Sequence, residues 1–309
     1  MKNYRLLTYK TKNEDTNPGL LVNDVVVDIV SALAVPANAD PSLFSSVMSI
    51  LESWDTTEPV LSAIAELILS DSPTEGTIVF PLLGVKLAAP VLYPNTIYCA
   101  GGNYHDHVME MTGEKWIKED LKPYFFLKAA RQGIIGPNAE IQLVERSEKM
   151  DWEAELAVII GRTAKNISAE NAMDYVAGYS IINDVSARDL NKRTDIAFFT
   201  DWFSSKSFDS SAPMGPWITP VENIVDPQNL KIDLYLNDEL QQDTNTNQMI
   251  FDIKEQIEYL SHQITLLPGD VIATGTGAGC GVSKGLFLKS GDRIKIDIEG
   301  VGTLENSVA

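Results

Sequence analysis

The sequence DWEAELAVII at residues 151–160 governs the interpretation of this chain, because it joins an acidic segment to an uninterrupted apolar one. Asp151, Glu153 and Glu155 stand at alternate positions, so on a strand their side chains would share one face. The apolar continuation predicts a buried strand from Glu153 to Ile160. Carboxylates near an interior need a counter-charge or a raised pKa, and a hard divalent cation would supply that charge.

The same acidic pattern also fits a plainer interpretation, a strand with one solvated face. A further acid favours the metal interpretation, since Asp184 directly follows a second predicted buried strand at 176–182. Arg188 comes four residues later, as on the first turn of a helix. Oxygen ligands alone select Mg²⁺, Mn²⁺ or Ca²⁺ over Zn²⁺. The sequence therefore predicts a metal site made by Glu153, Glu155 and Asp184.

A histidine segment follows the flexible pair Gly101-Gly102. His107 and Glu110 are three residues apart, which makes them neighbours if the segment is helical. Such a pair could act as a general-base dyad, with the carboxylate orienting the imidazole. An ordinary helix-surface pair is the alternative. A zinc site using His105 and His107 lacks a third soft ligand within this segment.

The overall composition narrows the possible functions. The chain has 309 residues, 44% of them hydrophobic and 22% charged, which is typical of a globular protein. Its formal charge of −19, from 43 acids and 24 bases, argues against nucleic-acid and anionic-membrane partners. No signal peptide or apolar run long enough to span a bilayer is recognised. Cys99 and Cys280 are therefore expected to be reduced thiols in a cytoplasmic protein.

The pattern of apolar residues predicts a strand-rich α+β chain in two parts. Residues 1–90 would form a small N-terminal domain and residues 91–309 a larger one, with the boundary near Pro90. Helices do not alternate regularly with strands, so a Rossmann sheet or a TIM barrel is not expected. Predicted elements are a hairpin at 20–30, helical segments at 43–69, 169–175 and 253–262, and strands at 153–160, 176–182, 230–236, 271–274 and 293–299.

Taken together and in this order, the motifs resemble those of the fumarylacetoacetate hydrolase family. The resemblance runs from Tyr98 almost to the C-terminus. It is carried by CAGGNYHDH at 99–107, PYFFLK at 123–128, DWEAELA at 151–157, GYSIINDVSARD at 178–189, KSFD at 206–209, PMGP at 213–216 and PGDVIATGT at 268–276. Two departures stand out. A loose GAGCG turn at 277–281 replaces a frequent proline, and Asn191 stands where some hydrolases carry glutamine.

The resemblance implies a mixed β-roll catalytic domain of the family's C-terminal type, with a small N-terminal α/β domain. It also implies a homodimer that binds Mg²⁺ or Mn²⁺, with Ca²⁺ as a further option. The resemblance implies that Glu153, Glu155 and Asp184 bind the metal and that His107 and Glu110 form a water-activating dyad. It also implies that Lys206 and Arg188 make cationic contacts to the substrate, that Lys128 and Thr276 line the pocket, and that Asp106 is an additional acid.

Several activities are compatible with this resemblance. The leading expectation is metal-dependent hydrolysis of a carbon–carbon bond in a small anionic 1,3-diketo acid of the acylpyruvate or fumarylpyruvate type. Enol–keto isomerisation or hydration of 2-oxo-dienedioates and decarboxylation of oxaloacetate are alternatives from the same chemistry. A catalytically silent metal-binding homologue is the alternative outside enzymology.

Overall fold

The computed structural model describes residues 1–11, 13–33 and 40–309. Strands dominate this part of the chain. They are β1 (Arg5–Lys10), β2 (Thr16–Val22), β3 (Val25–Asp28), β4 (Val79–Pro81), β5 (Lys86–Leu87), β6 (Ile97–Ala100), β7 (Phe125–Lys128), β8 (Ile134–Ile135), β9 (Glu140–Ile141), β10 (Met150–Asp151), β11 (Ala154–Ile160), β12 (Val176–Asn183), β13 (Ser186–Ala187), β14 (Ala212–Pro220), β15 (Lys231–Leu236), β16 (Glu239–Asn245), β17 (Val271–Thr276), β18 (Arg293–Ile298) and β19 (Gly302–Val308).

The α-helices are short, apart from two that pack on the sheets. They are α1 (Ile29–Ala32), α2 (Val47–Glu52), α3 (Trp54–Leu69), α4 (His105–Thr112), α5 (Ala130–Gly133), α6 (Trp202–Lys206), α7 (Ile253–Gln263) and α8 (Gly281–Lys284). Turns of 3₁₀ helix lie at Pro41–Phe44, Leu82–Gly84, Lys118–Asp120, Ala169–Tyr175, Arg188–Leu190, Val221–Asn223 and Thr246–Gln248.

The main sheet has the strand order β4-β3-β2-β1-β14-β12-β11-β17-β6-β7, with β5 paired to β1 and β8 to β14. β11 is fully buried and lies between β12 and β17, antiparallel to both. Its side chains alternate between two cores: Leu156 and Val158 face one, and Ala157 and Ile159 face the other. Burial on both faces explains why this strand is continuously apolar instead of alternating.

A second sheet covers one of these cores with the order β16-β15-β18-β19-β9. The hairpin between β15 and β16 turns at Asn237 and Asp238, which have φ of 50° and 68°. Two positive φ angles fit a two-residue hairpin turn of the type that Asn and Asp tolerate. The predicted strand-rich α+β fold with a mixed roll is confirmed, and the strands form neither a Rossmann sheet nor a barrel of alternating strands and helices.

The first ninety residues join the main sheet through β1, whose Leu6 pairs with Ile218 of β14. The hairpin predicted at 20–30 is confirmed as β2 and β3, which pair antiparallel from Val22 and Val25. Its last two residues were predicted wrongly as strand, because Asp28 caps a short helix instead by accepting a hydrogen bond from the Ser31 backbone N–H. The division into two domains stays a prediction.

The chain around 43–69 is helical as predicted, but it forms two α-helices instead of one run. Ser53 ends α2 and begins α3, and the Ser46 hydroxyl caps the start of α2 by accepting from the Ser49 N–H at 3.0 Å. The backbone of Ser53 leaves the helical conformation, with φ of −122° and ψ of 31°, and this residue separates the two helices. Both helices pack on the core that also contains Ala157 and Ile159 of β11.

Candidate metal centre

Three predicted ligands meet at one end of the two central strands. β11 and β12 pair antiparallel with Ala154 opposite Asn183, so the start of one strand lies beside the end of the other. Glu155 belongs to β11, Glu153 precedes it, and Asp184 follows β12 and donates its backbone N–H to the Glu153 carbonyl at 2.9 Å. Carboxylate oxygens of Glu153, Glu155 and Asp184 lie within 4.8 Å of one another, and all three side chains are buried.

The first acid of the 151–155 segment, Asp151, does not join this group. The expectation that Asp151 shares a face with Glu153 and Glu155 is wrong, because β10 ends at Asp151 and β11 begins only at Ala154. The break removes the alternation on which the expectation rested. Asp151 instead accepts hydrogen bonds from the Gly281 N–H at 2.6 Å and from Arg188 Nε at 2.8 Å.

Three cationic side chains surround the acids. Lys206 Nζ lies 2.6 Å from Glu153 and 2.7 Å from Asp184, and Lys128 Nζ donates to Asp184 and to the Val185 carbonyl. Arg188 approaches Glu153 to 2.6 Å, in a contact that is an ion pair but is not aligned as a hydrogen bond. The expectation that Asp184 and Arg188 share a first helical turn is wrong, because β13 intervenes and Arg188 pairs with other acids.

Among the described residues, Glu155 is the one acid of the three that forms no salt bridge with these cations. Burial alone would raise the pKa of Glu153, but Arg188 and Lys206 hold it below its usual range. Burial, followed by the nearby Asp184 and Glu153, raises the pKa of Glu155 well above its usual range. Among the described residues Glu155 forms no salt bridge, and its one hydrogen bond comes from the Gly275 N–H at 2.7 Å. The donor set is buried and consists only of carboxylate oxygens, and Glu155 has no cationic partner among the described residues, so the set fits Mg²⁺, Mn²⁺ or Ca²⁺.

The histidine segment lies above this cluster as helix α4. His107 Nδ1 and Glu110 Oε2 are 3.8 Å apart, so the two side chains are neighbours as predicted, at a separation longer than a hydrogen bond. Glu110 is held from the other side by the Gly279 N–H at 3.0 Å and the Ser283 hydroxyl at 2.8 Å. Burial would raise the pKa of Glu110, but the neighbouring His107 and the hydrogen bonds from Ser283 and Gly279 lower it.

The additional acid of this segment is engaged elsewhere. Asp106 accepts a hydrogen bond from the Thr244 hydroxyl at 2.6 Å and one from the His107 N–H at 2.8 Å. It is not a member of the group of three acids. Asp106 therefore fixes the start of α4 against β16 and contributes to the site through the position of His107.

A cavity of about 80 Å³ lies between α4 and the acidic cluster. Its polar lining consists of His107, Glu153, Glu155, Arg188, Lys206 and Thr276, and its apolar lining includes Phe126 and Trp202. The predicted pocket position of Thr276 agrees with this arrangement. Lys128 lies behind Asp184 and does not line the cavity. A larger cleft of about 520 Å³ opens near Arg5 and Lys231, but its acids do not form a close metal-binding group.

Sequence reasoning missed two residues at this site. Cys280 Sγ lies 3.9 Å from His107 Nδ1, although the two residues are 173 positions apart. Gln242 donates its side-chain amide to the Thr276 hydroxyl at 2.9 Å and accepts from the Ala154 N–H at 3.0 Å. The one available signal, for Cys280, was the loose turn at 277–281, which replaces the proline that often follows the Gly275-Thr276 pair in the family. Both cysteines are free and buried, as expected for reduced thiols.

The site thus combines a buried carboxylate cluster and three cations at the ends of strands with a His–Glu pair on α4, and its donor set fits a divalent metal ion. The model of the fumarylacetoacetate (FAA) hydrolase C-terminal domain matches residues 96–309. The chain belongs to the fumarylacetoacetate hydrolase family.

Named relatives of known sequence and structure extend this assignment. The human mitochondrial oxaloacetate tautomerase FAHD2B is 38% identical over 272 residues, which cover 87% of this chain and 81% of the relative. The oxaloacetate tautomerase YisK of Bacillus subtilis is 40% identical over 253 residues, 79% of this chain and 80% of the relative. The solved structure of maleylpyruvate hydrolase from Sphingobium sp. SYK-6 with manganese(II) and pyruvate has a TM-score of 0.73 and 30% identity, covering 99% and 98% of the two chains.

These relatives are enzymes of more than one reaction class, and one of them contains manganese. Among the described residues, no helix combines the length and apolar character that crossing a membrane requires. The cytoplasmic location, the homodimer and the absence of nucleic-acid partners stay predictions.

Proposed function

We propose that this chain is a Mg²⁺- or Mn²⁺-dependent enzyme that interconverts the enol and keto forms of a small 2-oxo diacid of the oxaloacetate type. The observation that carries the proposal is that His107, Lys206, Glu153 and Glu155 line one small cavity, with Asp184 grouped beside the two glutamates. Two relatives at 38% and 40% identity are named oxaloacetate tautomerases, which favours this reaction over the hydrolysis expected from the motifs alone.

The metal would be held by Glu153, Glu155 and Asp184. When bound there, a divalent ion would polarise the 2-oxo group of the substrate and stabilise negative charge on its oxygen. The observed donor chemistry fits this role, since Glu155 is the acid that has no cationic partner among the described residues.

The proton transfer would be performed by His107. Tautomerisation removes the enol O–H proton and adds a proton to the neighbouring carbon, so no atom is gained or lost overall. A neutral imidazole carries one N–H and one lone pair and can serve both steps. Glu110, fixed by the Gly279 N–H and the Ser283 hydroxyl, would hold the ring in place.

The substrate would be attracted by permanent positive charge. Burial would lower the pKa of Lys206, but Asp184 and Glu153 raise it, so the ammonium group stays charged at neutral pH. Arg188 lines the same cavity. A cavity of about 80 Å³ favours a short diacid over a bulky one.

Hydrolysis of an acylpyruvate is the second candidate. It is supported by the His107–Glu110 pair, whose geometry would also suit the activation of water, and by the likeness to maleylpyruvate hydrolase. The two reactions differ in whether water is consumed and whether a carbon–carbon bond breaks.

A comparison of substrates tests the proposal. Enol oxaloacetate is mixed with enzyme and Mg²⁺ or Mn²⁺, and the loss of enol absorbance is followed beside the appearance of keto oxaloacetate through malate dehydrogenase. Acylpyruvates and maleylpyruvate are assayed in parallel for cleavage, and pyruvate formation from oxaloacetate measures decarboxylation. His107→Gln and removal of metal with a chelator are the controls.

The expected result is a metal-dependent acceleration of enol loss, with little pyruvate formed and a large loss of rate in His107→Gln. Cleavage of acylpyruvates without acceleration of enol loss would replace the proposal with the hydrolase. Rapid pyruvate formation from oxaloacetate would replace it with the decarboxylase. Inactivity on every substrate, with metal still bound, would favour the silent metal-binding homologue.

A further inference from the structure

Cys280 lies buried beside two residues that line the cavity, His107 and Glu153. Donor atoms of His107, Glu153 and Cys280 lie within 4.8 Å of one another, a group distinct from the three acids described above. Cys280 is fully buried, and it precedes α8 at the end of the turn 277–280. We propose that His107, Glu153 and Cys280 form a second metal site that selects Zn²⁺ and, when filled, inhibits the enzyme.

The choice of ion follows from the donor atoms. Sulfur and imidazole nitrogen are ligands of zinc, whereas Mg²⁺ and Ca²⁺ take oxygen. Tetrahedral zinc with bonds of about 2.3 Å to sulfur and about 2.0 Å to nitrogen separates these two donors by roughly 3.6 Å. His107 Nδ1 and Cys280 Sγ are 3.9 Å apart, so a shift of a few tenths of an ångström suffices. The cavity that His107 and Glu153 line leaves a fourth position for water.

Charged groups of both signs surround this position. Glu110 and Asp151 place negative charge near the Cys280 thiol, whereas Arg188 and Lys206 each lie 2.6 Å from Glu153. Burial, then the charge of Glu153, raises the pKa of the Cys280 thiol, so the metal-free protein keeps the proton on sulfur. A bound zinc ion displaces such a proton. The other polar neighbours of Sγ are weak ones, the Gly277 carbonyl at 3.8 Å and the Gln242 amide at 3.9 Å.

Inhibition follows because the new site uses groups that the reaction needs. A neutral imidazole has a single lone pair, and a zinc ion on His107 occupies it. Glu153 belongs to both metal groups, so zinc also weakens the site of the three acids. The zinc site itself does not depend on which reaction the enzyme catalyses, and its binding can be measured without any substrate.

The test replaces zinc by Co²⁺, whose bond to a thiolate gives a charge-transfer absorption band that bonds to carboxylate or imidazole do not give. Co²⁺ is added to the wild type, to Cys280→Ser and Cys280→Ala, and to Cys99→Ser as the matched control. Cys99 is the other buried free thiol, on β6. The band should appear in the wild type and in Cys99→Ser and be absent from both Cys280 variants. Circular dichroism verifies that the Cys280 variants are folded.

Inhibition is then measured in zinc-buffered solution with Mg²⁺ present. Each variant is normalised to its own rate without zinc, and half-inhibition of Cys280→Ser should need at least about tenfold more free zinc than the wild type. Equal zinc sensitivity of the two proteins, or a cobalt band that survives removal of Cys280, would overturn the second site. Equal zinc sensitivity would place the inhibition at the three acids alone, and a surviving cobalt band would assign the thiolate ligand to Cys99.

Discussion

The substitution Glu155→Gln tests the proposed metal site most directly. Glu155 is 1% exposed, lies beside Glu153 and Asp184, and receives one hydrogen bond, from the Gly275 N–H. Glutamine has nearly the same volume, and its side-chain oxygen can still accept that bond. In metal-free protein the variant should therefore melt no lower than the wild type, because it removes a buried group whose ionised form is disfavoured.

The increase in Tm on adding metal should differ between the wild type and Glu155→Gln. A ligand at 100 times its Kd stabilises the folded state by about 2.7 kcal/mol. At about 2.1 cal/mol/K per residue, unfolding of 309 residues has an entropy of roughly 0.65 kcal/mol/K. Each kcal/mol then raises Tm by about 1.5 °C, so the wild type should gain about 4 °C. Glu155→Gln removes one carboxylate of three, so most of this increase in Tm should be lost at the same concentration of Mg²⁺ or Mn²⁺.

The assay is thermal unfolding in chelator and in a metal titration. Asp270→Asn serves as the matched control, since Asp270 is also a buried carboxylate and precedes β17, at the end of that strand opposite to Thr276. The control should keep the full metal-induced rise in Tm. A rise of wild-type size in Glu155→Gln would refute the assignment of Glu155 as a ligand.

Three further predictions concern His107, a glycine of β17 and a remote carboxylate. His107→Gln should lower kcat by on the order of 100-fold or more while keeping the metal-induced rise in Tm, and loss of that rise would assign His107 to the metal instead. Gly275→Ala should lower the free energy of unfolding by about 1–3 kcal/mol, because Gly275 has φ of 100° and a Cβ would lie 2.9 Å from Asn103 Cβ; unchanged denaturant unfolding would contradict this. Burial raises the pKa of Asp270 from 3.8 to about 6, against hydrogen bonds from the Leu267 and Thr96 N–H groups that lower it. Between about pH 4 and 6 the folded protein therefore binds a proton that the unfolded chain does not. Wild-type stability should fall relative to that of Asp270→Asn as pH rises from about 4 to about 6. A difference in Tm between the two proteins that stays constant with pH would contradict the raised pKa.

The central strands and the three acids could be predicted because their signals are local. β11 and β12 are buried on both faces, and this appears in the sequence as two continuous apolar runs. The acids stand at the ends of these runs, in motifs that resemble those of the family. Pairing of His107 with Glu110 was predictable for the same reason, since a three-residue spacing is fixed by the helix itself.

The remaining features of the site depend on contacts between distant segments. Alternation placed Asp151 with the other acids, but a two-residue break between β10 and β11 turned it toward Arg188 and the Gly281 N–H. Lys128 reaches Asp184 although β7 lies at the far end of the sheet order from β12. No spacing in the sequence encodes that approach. Cys280 reaches His107 across 173 positions through the turn after β17.

The pairing of β1 with β14 has a consequence for solubility. β14 is bonded to β12 on one side, while β8 and β1 share its other side, with Leu6 opposite Ile218. Ala88 and Pro90 are tied to Thr8 by hydrogen bonds of 2.9 and 2.8 Å, which secures this arrangement. Removal of residues 1–90 would leave part of β14 as an open edge with unpaired backbone groups, a template for intermolecular strand addition. The N-terminal strands thus cover an edge of the main sheet and reduce its tendency to aggregate.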